Sequence, residues 1–195
     1  MRKSIYPVIF IMGITFISIL MLAILNEITK NRIDEYREIE EKKQILYIFN
    51  LSNENDSNQK IEDKFSKYIK IETKDNISKY TALNNDEIIG YGFKIEGKGL
   101  WGLIEGYIAL SKDYNKIIGL TFIKHSETPG LGGRIDETWF KDQFRELEIG
   151  DNISLIFRPR EGGNIDSISG ATQTSDKVRL LIVNEIEKIR DKWRD

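Results

Sequence analysis

The 195-residue chain contains no cysteine. Disulfides, thiolate zinc sites and cysteine-ligated iron–sulfur clusters are therefore excluded within it. Its single histidine, His125, excludes a multi-histidine metal site and a bis-histidine haem, so no metal is expected. Any redox role would fall to an organic cofactor. The chain also lacks an excess of positive charge: 29 Lys and Arg stand against 31 Asp and Glu, for a net charge of −2. Nucleic-acid binding calls for clustered basic residues, and this balance argues against it. No nucleophile–base pair is evident; His125 beside Glu127 reads as structural or solvent-exposed, and no catalytic residue is assigned.

What the chain does have begins at its N-terminal end. Ile5 to Leu25 is an uncharged run of 21 residues, and one membrane-spanning helix needs ~20 apolar residues. Pro7 and Gly13 are tolerable in such a helix. Arg2 and Lys3 precede the run, so the positive-inside rule places the N-terminus in the cytoplasm and the remainder outside. A cleaved signal peptide would have a shorter apolar core and a small-x-small site, whereas Leu25 is followed by Asn26-Glu27-Ile28-Thr29. The expectation is a retained, single-pass anchor at residues 1–25 in the cell (inner) membrane.

Residues 26–60 read as a helical connector and linker. Glu27 to Phe49 is a charged helix with sparse apolar points, and Leu51 to Lys60 is polar. Residues 61–195 suffice for one domain with a real core. Ile61 to Ile71 is a short helix or irregular. Ile88–Ile95, Leu103–Leu110 and Ile117–Ile123 read as strands, the last two joined as a hairpin through Ser111 to Lys116. Asp136 to Leu147 is expected to be a helix and Ile153–Phe157 a strand. From Ser175, the residues Val178, Ile182, Ile186, Ile189 and Trp193 recur at steps of four, four, three and four, the apolar stripe of a core-packed helix. The whole predicts an α+β fold: one transmembrane helix, then a single domain with an antiparallel sheet and packed helices.

Three motifs carry the functional reading. Asp166-Ser167-Ile168-Ser169-Gly170-Ala171-Thr172 is a small-residue turn presenting two hydroxyls just ahead of that last helix. Unpaired N–H groups and the dipole favour an anion there, and Gly170 and Ala171 keep bulk away. The alternative is that Thr172, Thr174 or Ser175 serves only as an N-cap. His125-Ser126-Glu127-Thr128-Pro129-Gly130-Leu131-Gly132-Gly133-Arg134-Ile135 is a glycine-rich loop after a strand. Gly97-Lys98-Gly99-Leu100-Trp101-Gly102 sets apolar residues on a glycine turn.

These motifs, in this order, resemble the FMN-binding domain family. The first is similar to its flavinylation motif, in which a flavin transferase esterifies FMN to the last Thr. The resemblance implies FMN joined through a phosphoester to Thr172, with Ser169, Gly170 and Ala171 around it. It implies flavin contacts from Glu127, Thr128, Leu131 and Gly132, apolar cover from Leu100 or Trp101, and recognition of Asp166 by the transferase.

The chain resembles two kinds of covalent FMN domain with one anchor. One is the C subunit of the Na+-translocating NADH:quinone reductase, the other the G subunit of the Rnf complex. The G-K-G-L-W segment, with an echo at Lys43-Gln44-Ile45-Leu46, leans to the former; the chain length and the H-S-E-T-P-G-L-G wording lean to the latter. The implied function is an electron carrier among membrane subunits of an ion-translocating complex. Two alternatives stand beside it. One is a stand-alone extracytoplasmic flavoprotein reductase, for which Arg134, Arg158 or Arg160 would clamp a substrate. The other is a module holding FMN non-covalently.

Overall fold

A computed structural model describes residues 5–194 apart from 54, 75, 76 and 86. Arg2 and Lys3, on which the expected orientation rests, lie outside the described residues. The chain divides into two compact units, Met1–Glu41 and Lys42–Asp195.

The first unit holds most of helix α1, Tyr6–Ile48. Its side chains from Ile5 to Leu25 are all exposed. Among the described residues, α1 is the one helix long and apolar enough to cross a membrane.

The second unit is built on a six-stranded antiparallel meander. The strands are β1 (Ile69–Lys74), β2 (Ile77–Asn84), β3 (Glu87–Lys98), β4 (Leu103–Leu110), β5 (Lys116–Lys124) and β6 (Leu147–Glu148), each hydrogen-bonded to the next in chain order. Side chains alternate across a strand, and here both faces are covered. In β4, Ile104, Ile108 and Leu110 enter one core with α4 (Thr172–Trp193), while Tyr107 and Ala109 enter the other. That second core is closed by the end of α1 and by α2 (Asn58–Tyr68) through Ile45, Leu46, Ile48, Phe49, Ile61 and Phe65.

The α+β fold with an antiparallel sheet is thus as expected, and five details differ. The unit begins before residue 61, because residues 42–49 supply core side chains rather than a bare connector; Thr121 Oγ1 donates to Gln44 Oε1 at 2.8 Å and anchors them. Ile61 to Ile71 divides into α2 and β1. Strands β1 and β2 are absent from the sequence expectation: Ile71 is exposed and only Tyr80 and Ala82 of β2 are buried, so the pattern is faint. The expected helix Asp136 to Leu147 shrinks to a 3-10 turn, Gly132–Asp136, and α3, Thr138–Asp142. Phe140 and Phe144 still bury, but Glu146 adopts φ 53° and turns the chain into β6. Ile153–Phe157 forms no ladder. It meets residues 164–165 through one isolated parallel bridge, Phe157 with Ile165, and through the Asn164 side chain, which accepts from Ile156 N (2.9 Å) and donates to the Ser154 carbonyl (2.7 Å).

Helix α4 buries Val178, Ile182, Ile186 and Ile189, the stripe read from the sequence. Full burial of such side chains contributes about 1.5–3 kcal/mol each. At its far end the buried Arg190 guanidinium donates to the carbonyls of Tyr114 (2.6 Å), Gly150 (2.7 Å) and Asp151 (2.7 Å). Those contacts lock α4 onto the β4–β5 turn, and so fix where its N-terminus falls.

Candidate functional site

The N-terminus of α4 has an open arrangement. Its cap position is Ala171, which offers no side-chain hydrogen bond, and Thr172 is the first helical residue. By contrast, α2 is capped by Ser57, whose hydroxyl accepts from Lys60 N. The first-turn N–H groups of α4 therefore lack a side-chain acceptor.

The hydroxyls divide by task. Ser175 Oγ accepts from Ile168 N (2.9 Å) and donates to the Ala171 carbonyl (3.0 Å), closing the turn. Thr174 Oγ1 donates to Glu127 Oε2 at 2.7 Å. Ser169 and Thr172 are exposed, and among the described residues neither hydroxyl has a hydrogen-bond partner. The capping alternative therefore fails for all three residues. Gly170 has φ 77°, in the left-handed region that favours glycine, and a side chain there would meet only Leu131 Cδ2 at 3.4 Å.

Glu127 draws the three motifs together. It is 4% exposed. Its Oε1 accepts from the backbone N–H groups of Leu100 (2.8 Å) and Trp101 (3.1 Å), while Oε2 accepts from Thr174. One carboxylate thus joins the β3–β4 turn, the loop after β5 and the first turn of α4. Packing around it is tight. A Cβ on Gly132 would stand 2.6 Å from Thr174 Oγ1 and 2.9 Å from Glu127 Oε2; real side chains do not tolerate such approaches.

The rest of the loop is held locally. The Thr128 carbonyl accepts from Leu131 N (3.1 Å) and Gly133 N (2.9 Å), while the Thr128 side chain is exposed. His125 Nδ1 accepts from Glu127 N at 3.2 Å and its Nε2 lies 2.8 Å from Asp136 Oδ2, so the sole imidazole is structural. Arg134 Nε reaches both oxygens of Glu137 (3.0 and 3.2 Å). That contact, then the Trp139 indole N–H, holds the Glu137 carboxyl below its ordinary range. Leu100, Trp101 and Leu131 stay exposed at 40%, 69% and 47%, unusual for large apolar residues fixed on ordered turns.

Asp166 is exposed and ion-paired, Oδ2 lying 2.6 Å from Arg158 Nη1. Gln143 brackets its backbone: Asp166 N donates to Gln143 Oε1 (2.6 Å) and its carbonyl accepts from Gln143 Nε2 (3.2 Å). Of the expected site residues, Ser169, Gly170, Ala171 and Thr172 form one turn, and Glu127, Gly132, Leu100 and Trp101 gather around its helix. Glu127 and Gly132 are buried scaffold within that arrangement. Sequence reasoning misses the parts taken by Thr174, Ser175, Arg158 and Gln143. Thr174 and Ser175 read only as caps, and nothing in the sequence pairs Arg158 or Gln143 with Asp166. An open depression of about 800 Å³ near Asp151, Ile153, Arg190 and Arg194 lies at the other end of α4. Its one buried cation is already taken up by carbonyls.

Residues 99–187 match the FMN-binding domain family. The G subunit of the ion-translocating oxidoreductase complex of Methanosarcina acetivorans is 38% identical over 95 residues, 49% of this chain and 48% of that protein. The C subunit of the Na(+)-translocating NADH-quinone reductase of Vibrio anguillarum is 32% identical over 108 residues, 51% of this chain and 42% of the relative. The G subunit of the proton-translocating ferredoxin:NAD(+) oxidoreductase complex of Clostridium ljungdahlii is 31% identical over 110 residues, 56% and 58% of the two chains. The chain spans about half the length of the curated relatives it matches. In fold it is similar to the crystal structure of the C subunit of the Na(+)-translocating NADH-quinone reductase from Parabacteroides distasonis. That likeness has a TM-score of 0.68 at 24% identity and covers 82% of this chain and 94% of the other.

Proposed function

We propose, on the match of residues 99–187 to the FMN-binding domain family, that the chain is an electron-transfer subunit of a membrane-bound ion-translocating oxidoreductase, with FMN esterified to Thr172. The observation that carries this reading is the Thr172 hydroxyl, exposed and, among the described residues, without a partner at the uncapped N-terminus of α4. The residues fit a phosphate-linked flavin. Free N–H groups at a helix N-terminus favour an anion, and exposed Leu100, Trp101 and Leu131 offer apolar surface beside it.

When bound, the flavin supplies the electron acceptance and donation. The protein's own residues do the rest. Thr172 Oγ provides the ester oxygen, and Ser175 and Glu127 fix the turn that presents it. Gly170 keeps the approach clear, and Asp166, held by Arg158 and Gln143, marks the turn for the flavin transferase. Thr128 presents its side chain on the same loop.

The apolar part of α1 anchors the domain as a single pass. With Arg2 and Lys3 in the cytoplasm, the domain lies on the extracytoplasmic side, beside integral subunits that give and take electrons. The stand-alone reductase reading gains nothing from two of the arginines nominated for it: Arg134 is engaged by Glu137 and Arg158 by Asp166.

The test is in-gel flavin fluorescence after denaturation, on the chain co-expressed with its transferase. Wild type and Thr172→Ser should fluoresce and Thr172→Val should not. Covalent flavin on the Val variant would place the ester elsewhere. No band on any of them, with a transferase proven on another substrate, would favour the non-covalent module.

A further inference from the structure

Glu127 presents a problem that its scaffolding role does not solve. Its carboxylate is buried, and among the described residues no cation pairs with it. Every group aimed at it is a donor: two backbone N–H groups and one hydroxyl. Three donors match the acceptor capacity of a carboxylate. Burying an uncompensated charge is costly. A glutamine would make the same links without that cost, its Oε1 taking the Leu100 and Trp101 N–H groups and its Nε2 meeting the Thr174 hydroxyl. The scaffold alone therefore does not call for a charge.

The charge also lies where it matters. Glu127 is bonded to Thr174, two residues from Thr172 on the same helical turn. There it opposes the positive end of the α4 dipole and puts a fixed negative field beside whatever Thr172 carries. Adding an electron to a group in that field is disfavoured. A unit charge acting over about 10 Å at an effective dielectric constant of 20 changes such an equilibrium by roughly tenfold.

We propose that Glu127 is a positioning residue whose buried carboxylate also holds down the reduction potential of the flavin carried at Thr172. This rests on the covalent-flavin reading above. Uptake of one electron by the flavin is then opposed by Glu127 and favoured once its charge is removed.

The experiment is spectroelectrochemical titration of the full chain in detergent, co-expressed with its transferase, for wild type, Glu127→Gln and Thr174→Val. Covalent flavin is first established by in-gel fluorescence. Glu127→Gln should ease one-electron reduction about tenfold, equivalent to 59 mV. Thr174→Val keeps the charge and removes one donor, so its potential should equal or fall below that of wild type.

Equal potentials for Glu127→Gln and wild type would overturn the proposal. So would a rise in Thr174→Val like that expected for Glu127→Gln, since loosened geometry and not charge would then set the value; this arm remains decisive if Glu127→Gln fails to fold. Absence of the fluorescent band in wild type would instead refute the Thr172 reading, a failure visible before any potential is measured.

Discussion

Replacing Gly132 by alanine tests whether the three motifs are truly locked through one carboxylate. The added Cβ would sit 2.6 Å from Thr174 Oγ1, 2.9 Å from Glu127 Oε2 and 3.2 Å from Glu127 Cβ. Glu127 is held by two backbone N–H groups and Thr174 by its helix, so the cheapest relief is to part them. Losing that bond to a charged group costs about 1.5–3 kcal/mol, and displacing packed neighbours adds about 1–3 kcal/mol. The sum is roughly 2.5–6 kcal/mol. At about 2–4 °C per kcal/mol for a chain of this size, Tm should fall by roughly 5–24 °C. Gly170→Ala is the control. Its nearest neighbour would be Leu131 Cδ2 at an ordinary 3.4 Å, so only the left-handed backbone is strained, by about 1–2 kcal/mol. Thermal unfolding of the full chain in detergent, followed by tryptophan fluorescence, reads both. A Gly132→Ala Tm within about 2 °C of wild type, or a larger fall for Gly170→Ala, would refute the packing argument.

Two further outcomes follow from the structure. Arg190→Met should cost roughly 2–4 kcal/mol in urea unfolding, because it strips the donor from the buried Tyr114 carbonyl and from those of Gly150 and Asp151; a loss under about 1 kcal/mol would mean water replaces the guanidinium. Glu105 accepts from Lys124 (2.9 Å) and pairs with Lys94 (3.0 Å). Those contacts, Lys124 first, hold its carboxyl below the ordinary 4.5. A depressed carboxylate stabilises the fold above its unfolded value and loses that contribution as pH falls through the folded one. The advantage of wild type over Glu105→Gln should therefore be full at pH 7 and shrink below about 4.5. A difference that stays constant down to pH 3 would contradict the assignment.

The legible parts of the fold are those with strong periodicity. The α4 stripe and the apolar strands β3, β4 and β5 have buried faces that repeat along the chain, and the structure places them as read. The remaining parts lack that signal. β1 and β2 pack few residues inward, and the stretch 153–157 is held by a single bridge and one asparagine side chain, which no pattern reveals. The last turns of α1 look like a sparse linker helix because their core residues Ile45, Leu46, Ile48 and Phe49 crowd into a window too short for a period.

At the site, the turn ending in Thr172 is readable because small residues and hydroxyls sit before an amphipathic helix. Glu127 stands out in the sequence, but as a contact to the flavin. Its ties within the fold, to two backbone N–H groups 26 and 27 residues away and a hydroxyl 47 away, are tertiary facts. Thr174 is invisible for the same reason: its partner is remote, and locally it looks like any threonine in a first helical turn.

The central claim is that Thr172 Oγ bears the FMN phosphate. Mass spectrometry of proteolytic fragments, from the full chain purified after co-expression with its transferase, tests it most directly. One fragment, containing Thr172, should be heavier by one FMN less one water, with fragmentation placing the addition on Thr172. The same addition on Ser169 or Thr174, or an unmodified Thr172 fragment from protein that retains flavin after denaturation, would contradict it.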